Sequence, residues 1–416
     1  MKGANDKIVL ALVGAGGRGS ALIFSMMKCD PNIEVKYICD IDASRGGRIV
    51  EDLSKLQGYP PKKVNDMRTA FDDRDVNAAV IATPDHWHAL ATIWACRAGK
   101  DVLVEKPICL TLDEGREMVR AAADNKAIVQ CGFQNRSGDY AFAARDYIAA
   151  GELGKIVTVK IFGMTQGTRE WIMKEDTPVP EGLDWDAWLG PAEPAPYNVS
   201  RHKGWHDWWA YSTGPHMFDT SHGVDLTRLA LGDPPLPRAV YCAGGRVIFN
   251  DRRDTPDNQT IVFDMGDYPI SVESSQYGRY LYGTPDDVRY SDKYPVWNTM
   301  GTRIEIYGTR GVMYLGRMGG GWQAFGKDME LLAEKTGRFP DEPHQRNFFE
   351  CVRTRKTPNS PIEQGVLSAA MINLANLSYR SGKKKLGFDA ANWTILDNPE
   401  AAAMDKRPQR KGYELV

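Results

Sequence analysis

The chain has 416 residues, 42% hydrophobic and 25% charged, with 52 Lys and Arg against 54 Asp and Glu for a formal charge of −2. That length exceeds one ordinary core and points to two or three domains, and the even charge balance excludes a global field that would draw the chain to nucleic acid or an anionic membrane surface. No apolar run reaches the roughly 20 residues needed to span a bilayer, Met1 to Lys7 is too polar and short for an export signal, and the scattered cysteines suit reduced thiols in a cytoplasmic setting.

The first apolar run, Ile8 to Val13, leads straight into Gly14-Ala-Gly16-Gly17-Arg18-Gly19, and Asp40 closes the next apolar run, Ile33 to Cys39. Each part of this pattern has its own task. Gly14 permits a tight strand-to-helix turn, Gly16 leaves room for a pyrophosphate to approach the backbone, and Gly19 lets the helix pack closely on the strand. The helix opening at Gly17 and Arg18 offers unpaired N–H groups and a positive dipole end to the phosphates. Asp40 is placed to accept the ribose hydroxyls, and a 2′-phosphate there would meet a like charge. The pattern therefore reads as a dinucleotide site selecting NAD over NADP; Arg45 and Arg48 keep some NADP tolerance open or serve as solvated helix positions.

Up to residue 135, strand-like runs at 7–14, 33–40, 76–83, 101–106 and 127–133 alternate with helical patterns near 18–28, 43–57, 88–99 and 111–125. This is the signature of parallel βαβ units and a doubly wound Rossmann domain over 5–135, whose ligands bind beyond the carboxyl ends of the strands. Three such ends carry chemistry: Ala82-Thr83-Pro84-Asp85-His86-Trp87-His88, Glu105-Lys106-Pro107 and Gln134-Asn135-Arg136. Thr83, Pro84, His88, Glu105 and Gln134 are the candidates for bordering the cofactor, with His88 alternatively capping its helix.

A helix, Asp139 to Gly154, leads into a second α+β domain over 136–416. Runs at 155–163, 238–249, 259–265, 269–277, 303–308 and 311–315 read as strands of a largely antiparallel open sheet, with helices near 216–231, 343–354 and 364–381. Between the first two strands lies an irregular span holding Trp171, Trp185, Trp188, Trp205, Trp208 and Trp209. Indoles interleaved with Arg201, His206, Asp207 and Tyr211 suit a pyranose, whose apolar C–H face stacks while its hydroxyls hydrogen-bond. Packing of this span onto the first domain accounts equally well for Trp185, Trp188 and others.

The Gly14–Gly19 loop, Ala82-Thr-Pro, Glu105-Lys106-Pro107, His222-Gly-Val-Asp225-Leu-Thr-Arg-Leu, Ile304-Glu-Ile-Tyr-Gly-Thr-Arg-Gly311 and His344-Gln-Arg-Asn347-Phe, in that order, resemble the Gfo/Idh/MocA oxidoreductases over nearly the whole chain. The resemblance implies oxidation of a secondary hydroxyl of a sugar or polyol with a nicotinamide cofactor, and a homodimer or homotetramer built through the C-terminal sheet. It also implies that Lys106 lies near nicotinamide and substrate and that His222 faces them. Many members carry an Asp four residues before that His; here Phe218 takes the position and Asp219 stands three before, still on the same helical face.

Alcohol oxidation needs a base and an alkoxide stabiliser at one hydroxyl. Lys106 suits the stabiliser, with its pKa expected to fall in a dry cleft beside a cationic nicotinamide. His222, which titrates near neutrality unaided, suits the base, and Asp219 would orient it or bind a hydroxyl. Against these stand ordinary roles: a satisfied interior histidine, since Val224, Leu226 and Leu229 share its helix, and a capping or ion-paired aspartate. No metal is expected, because His86 and His88 are two residues apart and His202, His206 and His216 are scattered. Two other functions stay open: redox-assisted glycoside cleavage through a transient ketone with tightly bound NAD, and a non-catalytic NAD-bound sensor.

Overall fold

The computed structural model describes residues 7–164, 173–214, 217–277, 281–407 and 410–415. Strands β1 (Ile8–Val13), β2 (Ile33–Cys39), β3 (Lys62–Val64), β4 (Ala78–Ile81), β5 (Asp101–Val104) and β6 (Val129–Cys131) form one sheet in the order β3-β2-β1-β4-β5-β6. All five pairings are parallel. Strands β4 and β5 are buried throughout, which is why they read as unbroken apolar runs instead of alternating ones. The strand order reverses between β1 and β4, and a crevice opens beyond their carboxyl ends.

Helices α1 (Gly17–Cys29), α2 (Gly47–Gln57), α3 (Met67–Phe71), α4 (His88–Arg97) and α5 (Leu112–Asp124) fill the crossovers, and α6 (Asp139–Ala149) leads out. The start of α5 shows the local logic: Thr111 Oγ1 accepts from Glu114 N at 3.1 Å, with Asp113 and Glu114 in the first turn. Strand β3 and helix α3 are additions to the sequence expectation. Lys-Lys-Val is an exposed three-residue edge strand whose lysines leave no apolar alternation to detect.

The second sheet has ten strands: β7 (Ile156–Met164), β8 (Ala239–Gly245), β9 (Asn258–Asp264), β10 (Pro269–Ser275), β11 (Thr302–Gly308), β12 (Val312–Gly316), β13 (Trp322–Phe325), β14 (Leu331–Lys335), β15 (Leu386–Asp389) and β16 (Thr394–Leu396). Its order is β14-β13-β12-β11-β7-β10-β9-β8-β15-β16, antiparallel except for the β7–β10 pair. The last four strands escape sequence reading because β14 is mostly exposed and β13, β15 and β16 are only three or four residues long. Helices Met217–Ala230 and Ile362–Arg380 cover one face, where Ile161, Ile304, Val224, Leu226 and Met371 share a core.

The two layers interlock. Phe348 and Phe349, from the helix Asp341–Thr354, complete the core under β1 and α1, while Ile362 and Val366 complete the one beside β5 and β6. An ionic knot spans the junction: Arg136 donates to both oxygens of Asp225 at 2.8 and 2.9 Å and to Asp233 at 3.0 and 2.7 Å. This places the helix that carries His222 against the carboxyl edge of the first sheet. Among the described residues, all seven cysteines are free and buried, and no helix is long and apolar enough to cross a membrane.

Candidate functional site

The crevice between β1 and β4 contains a cleft of about 420 Å³ bordered by Gly14, Gly16, Gly17, Arg18, Asp40 and Lys106. Two of the glycines are required by the fold itself. Gly14 adopts φ +93°, a Cβ there would lie 2.6 Å from the Ala82 carbonyl oxygen, and a Cβ at Gly19 would lie 2.0 Å from that of Gly14. Gly16 and Gly17 are different: a Cβ at Gly17 would have no neighbour within 4 Å, and at Gly16 the nearest atom is Arg45 Nη1 at 3.5 Å. Packing within the protein does not demand glycine at these two positions. Close approach of a phosphate group to the first turn of α1 does, so the loop fits a dinucleotide.

Asp40 is buried at the end of β2, where Oδ2 accepts from Ala15 N at 2.8 Å and Oδ1 from Asp42 N at 3.0 Å. The carboxylate thus fixes the glycine loop and lines the cleft together. Arg45 is held by Asp42 at 3.3 Å, which offsets its charge beside Asp40 and favours NAD over a 2′-phosphorylated dinucleotide.

Lys106, two residues beyond β5, is 8% exposed and borders the same cleft. Beside it stands a carboxyl group to which the sequence reading gave no role. Asp85 is 1% exposed, its Oδ2 accepts from Ser212 Oγ at 2.9 Å, and its Oδ1 has no hydrogen-bond partner among the described residues. Burial pushes Asp85 up to about 8, opposed by the Ser212 hydroxyl and the Lys106 charge.

His222 lies edge-on to Phe133, ring centroids 5.7 Å apart, and its Nδ1 is buried without a hydrogen-bond partner among the described residues. Burial holds its pKa well below the usual value, reinforced by the charges of Arg317, Lys106 and Arg18. The expectation that it titrates near neutrality is therefore corrected: desolvation and a cationic field keep the imidazole neutral. The side chains of Phe218 and Asp219 lie outside the described residues, as do Trp171 and His216.

The other candidates divide by task. Arg18 Nε donates to Glu105 Oε1 at 2.7 Å, and Gln134, with its amide nitrogen donating to Gly132 O, accepts from Arg18 Nη2 at 2.7 Å. Burial raises the Glu105 pKa, but Arg18 and Lys106 outweigh it and hold the carboxylate below its usual range. Glu105 and Gln134 thus clamp Arg18 at the cleft edge. Thr83 and Pro84 border the cleft, and His88 places Nδ1 2.7 Å from Pro107 O and Nε2 2.9 Å from Thr83 O, tying together the loops after β4 and β5.

The tryptophans separate as well. Trp185 and Trp188 stack at 4.6 Å, and Trp208 joins them in a buried cluster with Tyr197 and Tyr211. Trp188 and Trp205 reach the cleft, whereas Trp209 lies against Tyr379 and Arg380. The indole-rich span is in the main a packing element. Among the described residues, no group of three or more His, Cys, Asp or Glu could hold a metal.

Residues 8–133 match the model of the GFO_IDH_MocA oxidoreductase family, NAD-binding Rossmann fold, and residues 143–238 and 305–415 match that of its C-terminal alpha/beta domain. The chain is 24% identical over 379 residues to scyllo-inositol 2-dehydrogenase (NAD(+)) of Bacillus subtilis (strain 168), covering 89% of this chain and 94% of the relative. Its fold is similar to that of the WlbA dehydrogenase from Bordetella pertussis, solved with NADH and UDP-GlcNAcA, at TM-score 0.64 and 19% identity, over 92% of this chain and 99% of that one. An oxidoreductase from Agrobacterium radiobacter, solved with NAD+, L-tartaric acid and magnesium, gives TM-score 0.64 and 16% identity over 92% and 98%.

Proposed function

The chain belongs to the GFO/IDH/MocA oxidoreductase family, and from that premise we propose that it is an NAD-dependent dehydrogenase of a secondary hydroxyl on a sugar or polyol, with Lys106 and His222 meeting that hydroxyl. One observation carries the reading. Lys106 borders a cleft whose Gly16 and Gly17 leave room for a dinucleotide, and its charge acts on His222, which is far away in sequence.

Gly16, Gly17 and the α1 N-terminus would hold the pyrophosphate and Asp40 the adenosine ribose; when bound, NAD supplies the carbon that accepts or returns the hydride. The Lys106 ammonium stabilises negative charge developing on the substrate oxygen. His222, held neutral, aims the substrate through a hydrogen bond. The cationic field that keeps this imidazole neutral also favours the alkoxide, so the two effects work together. Asp85 in its ionised form, which Lys106 and Ser212 favour against burial, can take a proton from the Lys106 ammonium, and the amine so formed takes the hydroxyl proton in its place as the hydride leaves. Asp219 remains a candidate for orienting His222.

A panel of sugars, cyclitols and polyols, followed at the NADH absorbance, tests the reading. Reduction of NAD by at least one secondary alcohol, abolished by Lys106→Ala, is the expected result. Release of aglycone from glycosides without net NADH would replace dehydrogenation by redox-assisted cleavage.

A further inference from the structure

The span after β7 does more than pack. It crosses the mouth of the dinucleotide cleft and is fastened on both sides of β1. On the β2 side, Ala43 N donates to Gly182 O at 2.8 Å and Asp184 N to Ile41 O at 3.1 Å. On the β4 side, Trp87 Nε1 donates to the Ala187 and Trp188 carbonyls, both at 3.1 Å, and His86 Nε2 lies 2.9 Å from Trp188 O. Contact at the second anchor is close enough that a Cβ on Gly190 would fall 2.2 Å from the Trp87 ring. Between the anchors, Asp184, Ala187, Trp188, His202 and Trp205 face the same cleft as Gly14 and Gly16.

The end of the chain returns to this place from the other domain. Arg410 pairs with Asp186 and donates to Gly190 O at 2.9 Å, which ties the tail to the crossing span. Leu415 sinks into the first domain's core, and its carbonyl accepts from Arg97 at 3.0 Å. Between these fixed points Tyr413 borders the cleft, edge-on to Trp87 at 5.6 Å and stacked near Trp94 at 6.4 Å, with Arg68 5.2 Å over the Trp94 ring. Trp94 and Tyr413 are half-buried, and with Arg68 they furnish π faces and a cation for a flat heteroaromatic ring.

We propose that Trp94 and Tyr413 bind the adenine end of the dinucleotide, and that the 182–205 crossing span, latched by the carboxyl-terminal tail, slows its release. This rests on the dinucleotide reading of the cleft. A ligand seated on the glycine loop lies beneath a span hydrogen-bonded to both rims, so exit requires those contacts and the Arg410 latch to open. Opening then becomes the slow event in nucleotide exchange.

The test is nucleotide release from the full chain, read by stopped-flow fluorescence of bound NADH chased with excess NAD and by assaying nucleotide that copurifies. Full-length protein should carry nucleotide through purification. Tyr413→Ala and Arg410→Ala should each release NADH at least about ten-fold faster. Arg410 does not border the cleft but lies 4.9 Å over the Tyr413 ring, so Asp186→Ala, which breaks the latch from its other end, should quicken release as well, and thermal melts establish that each variant is folded. Release from the full chain as fast as from Arg410→Ala overturns the latch, and unchanged release from Tyr413→Ala overturns the adenine assignment. Absence of NADH affinity in every form would instead bring down the dinucleotide reading itself.

Discussion

Two charge clusters join the domains, and they share a helix. Asp225 belongs to the first, with Arg136, Asp233 and Arg228; His222, three residues earlier, belongs to the second, with Lys106, Asp85 and Arg18. The first is satisfied except at Arg228 Nε, which is buried with no hydrogen-bond partner among the described residues. Asp225 accepts from Arg136 and from Ser368 at 2.7 Å, and Arg228 donates to Gln364 O at 3.0 Å, Gln364 Oε1 at 2.9 Å and Pro234 O at 3.2 Å. In the second, His222 Nδ1, Asp85 Oδ1 and Thr83 Oγ1 are buried with no hydrogen-bond partner among the described residues. A buried polar group left without a partner costs stability, so a fold keeps one where something else uses it. The nearly saturated cluster fastens the domains, and the unsaturated one has polar groups left over for a ligand, which is what the proposed dehydrogenase requires.

That contrast can be broken experimentally, and the largest effect should fall on the saturated side. Arg136→Ala leaves Asp225 buried without its guanidinium partner, and should cost about 3–5 kcal/mol in urea unfolding. Less than 1 kcal/mol would mean the knot is not what fastens the layers. On the unsaturated side the balance reverses. Lys106→Ala should lower kcat by about 10²–10³, or ~2.7–4 kcal/mol, while NAD affinity measured by calorimetry stays within a few-fold. Near-normal turnover with the right substrate would remove Lys106 from the mechanism.

A smaller, pH-dependent effect sharpens the comparison. His222 is neutral in the folded protein because its pKa is depressed, whereas in the unfolded chain it protonates near ~6.5. Below that pH the unfolded state binds the extra proton, and this residue takes stability away by up to ~1.4 kcal/mol per pH unit. His222→Gln should flatten the stability curve on the acid side by that amount, and an unchanged slope would show the imidazole charging freely in the fold. The smallest effect is expected at Gly17→Ala: no loss of thermal stability, since nothing lies within 4 Å of the new Cβ, but NAD binding weaker by about three- to ten-fold, ~0.7–1.4 kcal/mol. Unaltered affinity would show that the first turn of α1 is not the phosphate cradle.

Much of the first domain is legible in the amino-acid order because its constraints are local. The backbone conformation at Gly14, the close approach at Gly19 and the reach of Asp40 to Ala15 N all lie within a stretch of about 25 residues. Strands β1, β2, β4, β5 and β6 show as apolar runs, while Lys62–Val64 does not, because an exposed edge carries no pattern. The weak point was His222: position on an amphipathic helix says that it is buried, but nothing about which charges surround it. Asp85 lay in plain sight within the peptide after β4, yet its significance depends on Ser212 and Lys106, from two other parts of the chain.

Sequence alone was enough for the Rossmann unit, its preference for an unphosphorylated ribose and the candidacy of Lys106, because backbone geometry and burial periodicity are written in neighbouring residues. Tertiary structure decided the rest: which ionisable groups face one another, which way burial pushes their proton affinities, and where the tryptophan-rich span and the tail come to lie. Electrostatic and desolvation energies depend on distances between atoms that folding brings together from opposite ends of the chain, and no spacing along the chain encodes those distances.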